Sequence, residues 1–110
     1  MRDWIEQMPR ADWEPIPRAG TVGVTGRLML RRAGIAIANL RFSPNATVDE
    51  HSAPFDIDVI CIAGEGFVSV GNQTSLFQAG QRVVWPAGVT HRLWTEGTEM
   101  ETLMVERTGV

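Results

Sequence analysis

Gly80-Gln81-Arg82-Val83-Val84-Trp85-Pro86-Ala87-Gly88-Val89-Thr90-His91 is the stretch on which the reading of this chain turns. A Gly, a Pro-x-Gly and a His stand at fixed spacing between two alternating apolar runs. Gly80 turns the chain into a strand over residues 81–85, and Pro86-Ala87-Gly88 is turn chemistry that ends that strand. His91 then opens the next strand, residues 90–95. A core-facing side chain there points into a closed β structure.

Working outward, the same texture repeats. Residues 56–63 (DIDVICIA) form a strand rich in β-branched residues, closed by Gly64-Glu65-Gly66. Residues 67–70 return, Gly71-Asn72 turns, and residues 74–77 run to Ala79-Gly80. Beyond the opening stretch, Glu96-Gly97 turns and residues 100–107 make the last strand. Upstream, Val22, Val24, Leu28 and Leu30 recur at even positions before a solvated turn at Arg31-Arg32 and Gly34. Residues 35–40 suit a strand covered on both faces. Ser43-Pro44-Asn45-Ala46 is a second turn, leading to residues 47–52. About ten short strands with turn signals every few residues, and no helical pattern after residue 20, mean an all-β sandwich or barrel.

Residues 1–20 differ. Pro9, Pro15 and Pro17 each remove a backbone donor and restrict the residue before them, so a long helix is excluded. The expectation is an extended N-terminal arm with one helical turn near residues 3–8. Its indoles, Trp4 and Trp13, need burial, against the chain's own barrel or across a partner subunit.

Composition sets the bounds. A chain of 110 residues supports one domain, divided here into an arm (1–20) and a barrel (21–110). A formal net charge of −3 with no basic block argues against nucleic acid and against anionic membranes. No apolar run reaches the ~18–20 residues of a membrane span, and the first residues do not open a signal peptide. The single cysteine, Cys61, makes no intrachain disulfide, which suits a reducing compartment. A cytoplasmic location is expected.

The chain resembles the cupin superfamily, as a small single-domain barrel of the cupin-2 type. The second cupin motif is Gly, five residues, Pro-x-Gly, two residues, His, three residues and often Asn. Gly80, Pro86, Gly88 and His91 match every spacing, with Thr95 in the last place. The first motif is His-x-His, three or four residues, Glu, six residues, Gly. Counting back from Gly64 places His51 at the first His, Ala53 at the second and Ile57 at the Glu. The resemblance covers residues 21–107 and implies a double-stranded β-helix (jelly-roll) barrel, often dimeric, with its pocket at one end.

The frame therefore stands with half of the usual metal ligands. The chain's two histidines both fall on ligand positions, whereas Ala53 and Ile57 are apolar. The metal-ligand candidates are His51 and His91, and the pocket candidates are His51, Ala53, Phe55, Ile57 and His91. A missing acid would have to come from Asp49, Glu50, Asp56 or Asp58. Strand parity turns Asp56 and Asp58 away from the side of Ile57, and Asp49 and Glu50 read as a solvated run. Cys61 shares the parity of Ile57 but lies roughly 13 Å along the strand, so it reads as core. Trp85 and Trp94 read as packing residues rather than substrate stackers.

Three functions follow. The first is a small organic ligand held in a dry pocket, with no certain cofactor and metal absent or weak. The second is a metal-dependent cupin enzyme of the dioxygenase, isomerase or lyase type. It would use His51 and His91 with water or an unrecognised acid to hold Fe, Ni, Mn or Zn. The third is a structural or sensory barrel with relic histidines. Apolar residues on both faces of residues 57–63 add the expectation of a homodimer.

Overall fold

The computed structural model describes residues 4–8 and 12–109. All of its regular structure is strand: β1 (Glu14–Pro15), β2 (Thr21–Arg32), β3 (Ile35–His51), β4 (Asp56–Val70), β5 (Gln73–Gln78), β6 (Arg82–Trp85), β7 (His91–Trp94) and β8 (Met100–Arg107). Every pairing is antiparallel. Among the described residues no helix is long and apolar enough to cross a membrane. Of the helical turn expected near residues 3–8, residue 3 lies outside the described residues, and Trp4–Met8 is not helical.

Two long strands each serve two sheets, and this closes the barrel. The first half of β3 pairs with β8, Ala36↔Glu106 through Phe42↔Met100, and its last part pairs with β7, Thr47↔Trp94 through His51↔His91. β4 divides in the same way. Asp56 to Gly64 lies between β6 and β8, and Glu65 to Val70 lies between β5 and β7. One sheet therefore runs through β2, the first part of β3, β8, the first part of β4 and β6, and the other through the start of β2, the end of β3, β7, the end of β4 and β5. Phe42, Val59, Cys61 and Leu93, all 2% exposed or less, fill the space between them.

The nine strands named in the barrel become seven because two predicted turns are bends inside continuous strands, and β1 in the arm is the eighth. At Ser43–Ala46 the chain bends at Asn45, whose φ of 60° lies in the left-handed region where Asn is tolerated. The Thr95 hydroxyl donates to the Ser43 carbonyl at 2.6 Å and accepts from the Ala46 amide at 2.9 Å, so the bend is held from β7. At Gly64 φ is 72°, and a Cβ there would lie 2.0 Å from the Glu99 carbonyl oxygen. Glycine at that position lets β4 cross the corner while remaining paired. The even-position pattern in β2 is also broken. Bulges between Val22 and Val24 and between Leu28 and Leu30 leave Val22 and Leu28 exposed while Val24 is buried.

The arm docks on its own barrel. β1 pairs with β2 through Glu14↔Gly26 and Pro15↔Thr25. The Trp13 ring lies under the guanidinium groups of Arg27 (4.5 Å) and Arg41 (3.9 Å). Trp4, by contrast, is exposed.

Candidate functional site

His91 follows a turn that two separate hydrogen bonds hold in place. Gly88 has φ 77°, and the Val89 amide donates to the Pro86 carbonyl at 3.2 Å, the geometry of a type II turn. The Ala87 amide donates to Asp56 Oδ1 and the Gly88 amide to the Ala53 carbonyl, both at 2.8 Å. The turn before His91 is thereby clamped to the segment that follows His51. The two sequence motifs brace one another.

Across the barrel, parity persists where regular strand does not. From His51 through Ala53 and Phe55 to Ile57 every second residue faces inward, although 52–55 is irregular. His51, Ala53, Phe55 and Ile57 all line one cavity of about 200 Å3. Ile57 is paired on one side with Trp85 and on the other with Glu106, and both also line the cavity. His51 and His91 are direct cross-strand partners in the facing sheet.

The imidazoles meet at the closed end. Their Nε2 atoms are 3.1 Å apart, with ring planes at 80°. His51 Nδ1 is 2.8 Å from the Asp49 carbonyl, which only accepts, so Nδ1 carries the proton and Nε2 the lone pair. The tautomers decide which ring donates across the Nε2–Nε2 contact, and the Val89 backbone favours the protonated form of His91. Among the described residues the buried Nδ1 of His91 has no well-formed hydrogen bond, and neither has the indole Nε1–H of Trp85. The Trp85 ring stacks on His91 at 3.8 Å and 6°.

Burial, and then the charge a protonated His51 would carry, push the His91 pKa down to about 4. The backbone at Val89 works the other way, and the Arg18 guanidinium lowers the value further. His91 is neutral at pH 7.

The remaining sequence candidates are placed away from the imidazoles. Asp58 is buried on the opposite face between Arg107 (2.7 Å) and Arg82 (3.4 Å). Asp56 holds the Ala87 amide, and the Asp49 carboxylate turns to the Thr47 hydroxyl at 2.8 Å. Glu50 is exposed. Cys61 is core, near the carbonyls of Ala63 and Gly64, and burial pushes its thiol pKa up. Among the described residues no three His, Cys, Asp or Glu side chains are grouped to hold a metal ion. The donor set is two imidazole nitrogens with alkyl side chains in the other two frame positions. It does not fit a resident transition metal, which needs a third protein ligand and, for iron, a carboxylate.

Sequence reasoning read Trp85 as a packing residue, as its burial against His91 bears out, but missed its place in the cavity wall and missed Arg18 and Glu106. Trp85 could have been found from parity, since Val83 and Trp85 alternate into the same barrel as His91. Nothing in the sequence marks Arg18 or Glu106. The arm brings Ile16 and Arg18 to the cavity, and only the docked arm reveals this.

No family model matches the sequence, and no curated protein matches it. Solved structures do. The polyketide cyclase RemF from Streptomyces resistomycificus superposes with a TM-score of 0.83 at 17% identity, over 96% of this chain and 80% of that one. A cupin-2 domain protein from Rhodospirillum rubrum gives 0.82 at 15%, over 99% and 78%. A predicted oxalate decarboxylase from Thermotoga maritima gives 0.79 at 21%, over 88% and 92%.

Proposed function

For this chain, whose fold is the cupin barrel, we propose that its function is to bind a small organic molecule in the cavity of His51, Ala53, Phe55 and Ile57. The observation that carries this reading is a cavity with walls apolar apart from His51, Trp85, Arg18 and Glu106, while His91 does not line it and touches His51 and Trp85. Most small-molecule sites are apolar cavities with a few converging polar groups, and this one has that character. At ~30 Å3 per water, about 200 Å3 equals the volume of roughly six or seven waters. That is room for a compact monocyclic molecule. The orphaned Nδ1 of His91 and Nε1–H of Trp85 leave polar capacity beside it.

The apolar replacements at Ala53 and Ile57 support a metal-free site over a metal-dependent enzyme. The cyclase and decarboxylase among the structural neighbours share only the fold, and a fold hosts many chemistries. A homodimer remains part of the reading. Val22, Met29 and Ile62 are 63%, 45% and 43% exposed, and a second copy would cover such residues. Light scattering at micromolar concentration should give twice the chain mass.

Benzamide, a neutral monocyclic probe, tests the cavity by protein NMR. Saturable shifts are expected at the amides of residues 51–57, and they should vanish in Ala53→Phe, which fills the space. Absence of saturable shifts, or shifts that survive Ala53→Phe in a folded variant, would overturn the reading.

A further inference from the structure

We infer that Arg18, delivered by the N-terminal arm, is the anion anchor of the cavity, so that the ligand is a small organic carboxylate with an apolar body. This rests on the reading of the cavity as a ligand site and narrows it to a chemical class.

The arm is seated in a defined register. Beyond the β1–β2 pairs, the Ile16 amide donates to the Val24 carbonyl at 3.4 Å, and a Cβ on Gly26 would come within 2.6 Å of Ile16 Cδ1. Ile16 therefore lies flush on β2 and forms part of the cavity wall. After Pro17 the chain turns, with the Thr21 amide donating to the Arg18 carbonyl at 3.2 Å. The Gly20 carbonyl accepts from the Asp49 amide at 3.1 Å, and the Asp49 carbonyl accepts from His51 Nδ1–H. The turn that carries Arg18 is thus hydrogen-bonded to the residue that orients His51.

The charges complete the argument. Arg18 is the only cation among residues 12–20, and it lines the cavity. Every other lining residue except Glu106 and His51 is apolar or, in Trp85, aromatic. Among the described residues neither Arg18 nor Glu106 makes an ion pair; Arg27, which lies over Trp13, and Arg31 make none either, but of these arginines only Arg18 lines the cavity. An unpaired guanidinium on the lip of an apolar cavity is a planar fork suited to a carboxylate. The walls of Phe55, Ile57 and Leu40 take the apolar body, beside His51, whose ring contacts the buried His91. Glu106 repels an anion, so it discriminates against ligands with a second carboxylate on its side of the cavity.

Benzoate and benzamide are near-isosteric and separate charge from shape. Titrated into the full chain by NMR, benzoate should bind at least tenfold more tightly than benzamide. In Arg18→Gln, benzoate should weaken by about tenfold or more while benzamide changes less than about twofold, since a charge-assisted bond is worth roughly that factor. Arg18→Lys should keep part of the preference, as a point charge without the fork. Glu106→Gln should tighten benzoate about threefold. Arg18 is exposed, so its variants retain the fold, as their amide spectra will report. Equal loss of both probes in Arg18→Gln, benzoate no tighter than benzamide, or benzylamine tighter than benzoate would each overturn the assignment of Arg18 and leave the cavity reading standing. Failure of both probes to bind the parent would overturn both.

Discussion

β7 is four residues long, and its two ends are built to opposite standards. Thr95, just past one end, is 3% exposed, and its hydroxyl both donates and accepts. Its amide also donates to the Ala46 carbonyl at 2.9 Å, and the Gly97 amide nearby reaches Asn45 Oδ1 at 3.0 Å. His91, at the other end and equally buried, has an orphaned Nδ1 stacked beside the orphaned indole nitrogen of Trp85. Other orphans, such as Thr102 Oγ1 and Thr21 Oγ1, occur singly along the chain. Two on stacked rings 3.8 Å apart, next to a cavity, are a different matter. Leaving a buried polar atom without a well-formed bond costs on the order of 1–3 kcal/mol, so the Thr95 end is satisfied more fully than the His91 end, where the Val89 backbone alone favours the protonated ring. Departures from local consistency of this kind are expected at functional sites.

The largest test rebuilds the His91 end. Ala53→His with Ile57→Glu supplies the two frame positions that are apolar. The double variant should gain stoichiometric Zn or Ni by elemental analysis of untagged protein, an increase of orders of magnitude over the parent, which should carry none. A folded double variant that binds metal no better than the parent would break the placement of His51, Ala53 and Ile57 in one frame. Stoichiometric metal in the parent, lost in His51→Ala and His91→Ala, would break the metal-free reading.

Next in size is acid sensitivity at the same end. The His91 pKa is about 4 in the folded chain and near 6.5 when unfolded. Between those values the unfolded chain holds a proton that the folded one lacks, so acidification favours unfolding. This contribution is whole above pH 6.5 and is lost as the pH falls through 4. It amounts to at most about 3 kcal/mol at 1.36 kcal/mol per unit. Urea unfolding at pH 7 and pH 4.5 measures it. His91→Leu should lose less stability than the parent over that interval, and an identical pH dependence in both would sink the assignment. His51, Arg18 and Glu106 face the same space, and the difference between the two proteins cancels their shared contributions.

The sequence carried the His91 end well and the bends poorly. The spacing from Gly80 to His91 encodes a type II turn, because a glycine at the third turn position supplies the positive φ that this turn needs and Pro86 ends the strand before it. Counting back from Gly64 found His51, since a period of two survives the irregular residues between 51 and 57. The bends failed for a physical reason. Asn45 and Gly64 carry local turn chemistry, but the Thr95 hydroxyl and the strand facing Glu99 hold them inside strands, and those partners lie about 35–50 residues away in sequence, beyond the reach of propensity. The ring stack of Trp85 on His91 and the place of Arg18 are likewise products of tertiary contact. Proline content identified the arm as extended without saying where it would lie.

At the Thr95 end the expected loss is about 2 kcal/mol. Thr95→Val keeps the shape and removes the hydroxyl, leaving the Ala46 amide without its acceptor and the Ser43 carbonyl without its donor. Urea unfolding at pH 7 should show this loss, with an unchanged slope. His91→Leu at the same pH should stay within about 1 kcal/mol, since it removes one orphan along with one hydrogen bond. Equal losses at the two ends would erase the contrast on which the site reading leans.

The smallest effect lies on the arm. Trp13→Ala removes the ring beneath Arg27 and Arg41, worth about 1 kcal/mol for a partly exposed cation–π pair. Among the described residues the arm is held to the barrel by two β1–β2 residue pairs, the Ile16 contact, the Gly20–Asp49 hydrogen bond and exposed side-chain contacts, so this loss should appear locally and not in the global transition. Amide exchange at Ile16 and Thr21 should quicken about fivefold, with the core amides of Val59 and Leu93 unmoved. If the arm only decorates the barrel, benzoate binding will be unaffected. If it carries the anion anchor, benzoate should weaken severalfold while benzamide holds, because a loosened arm presents Arg18 to the cavity for a smaller share of the time.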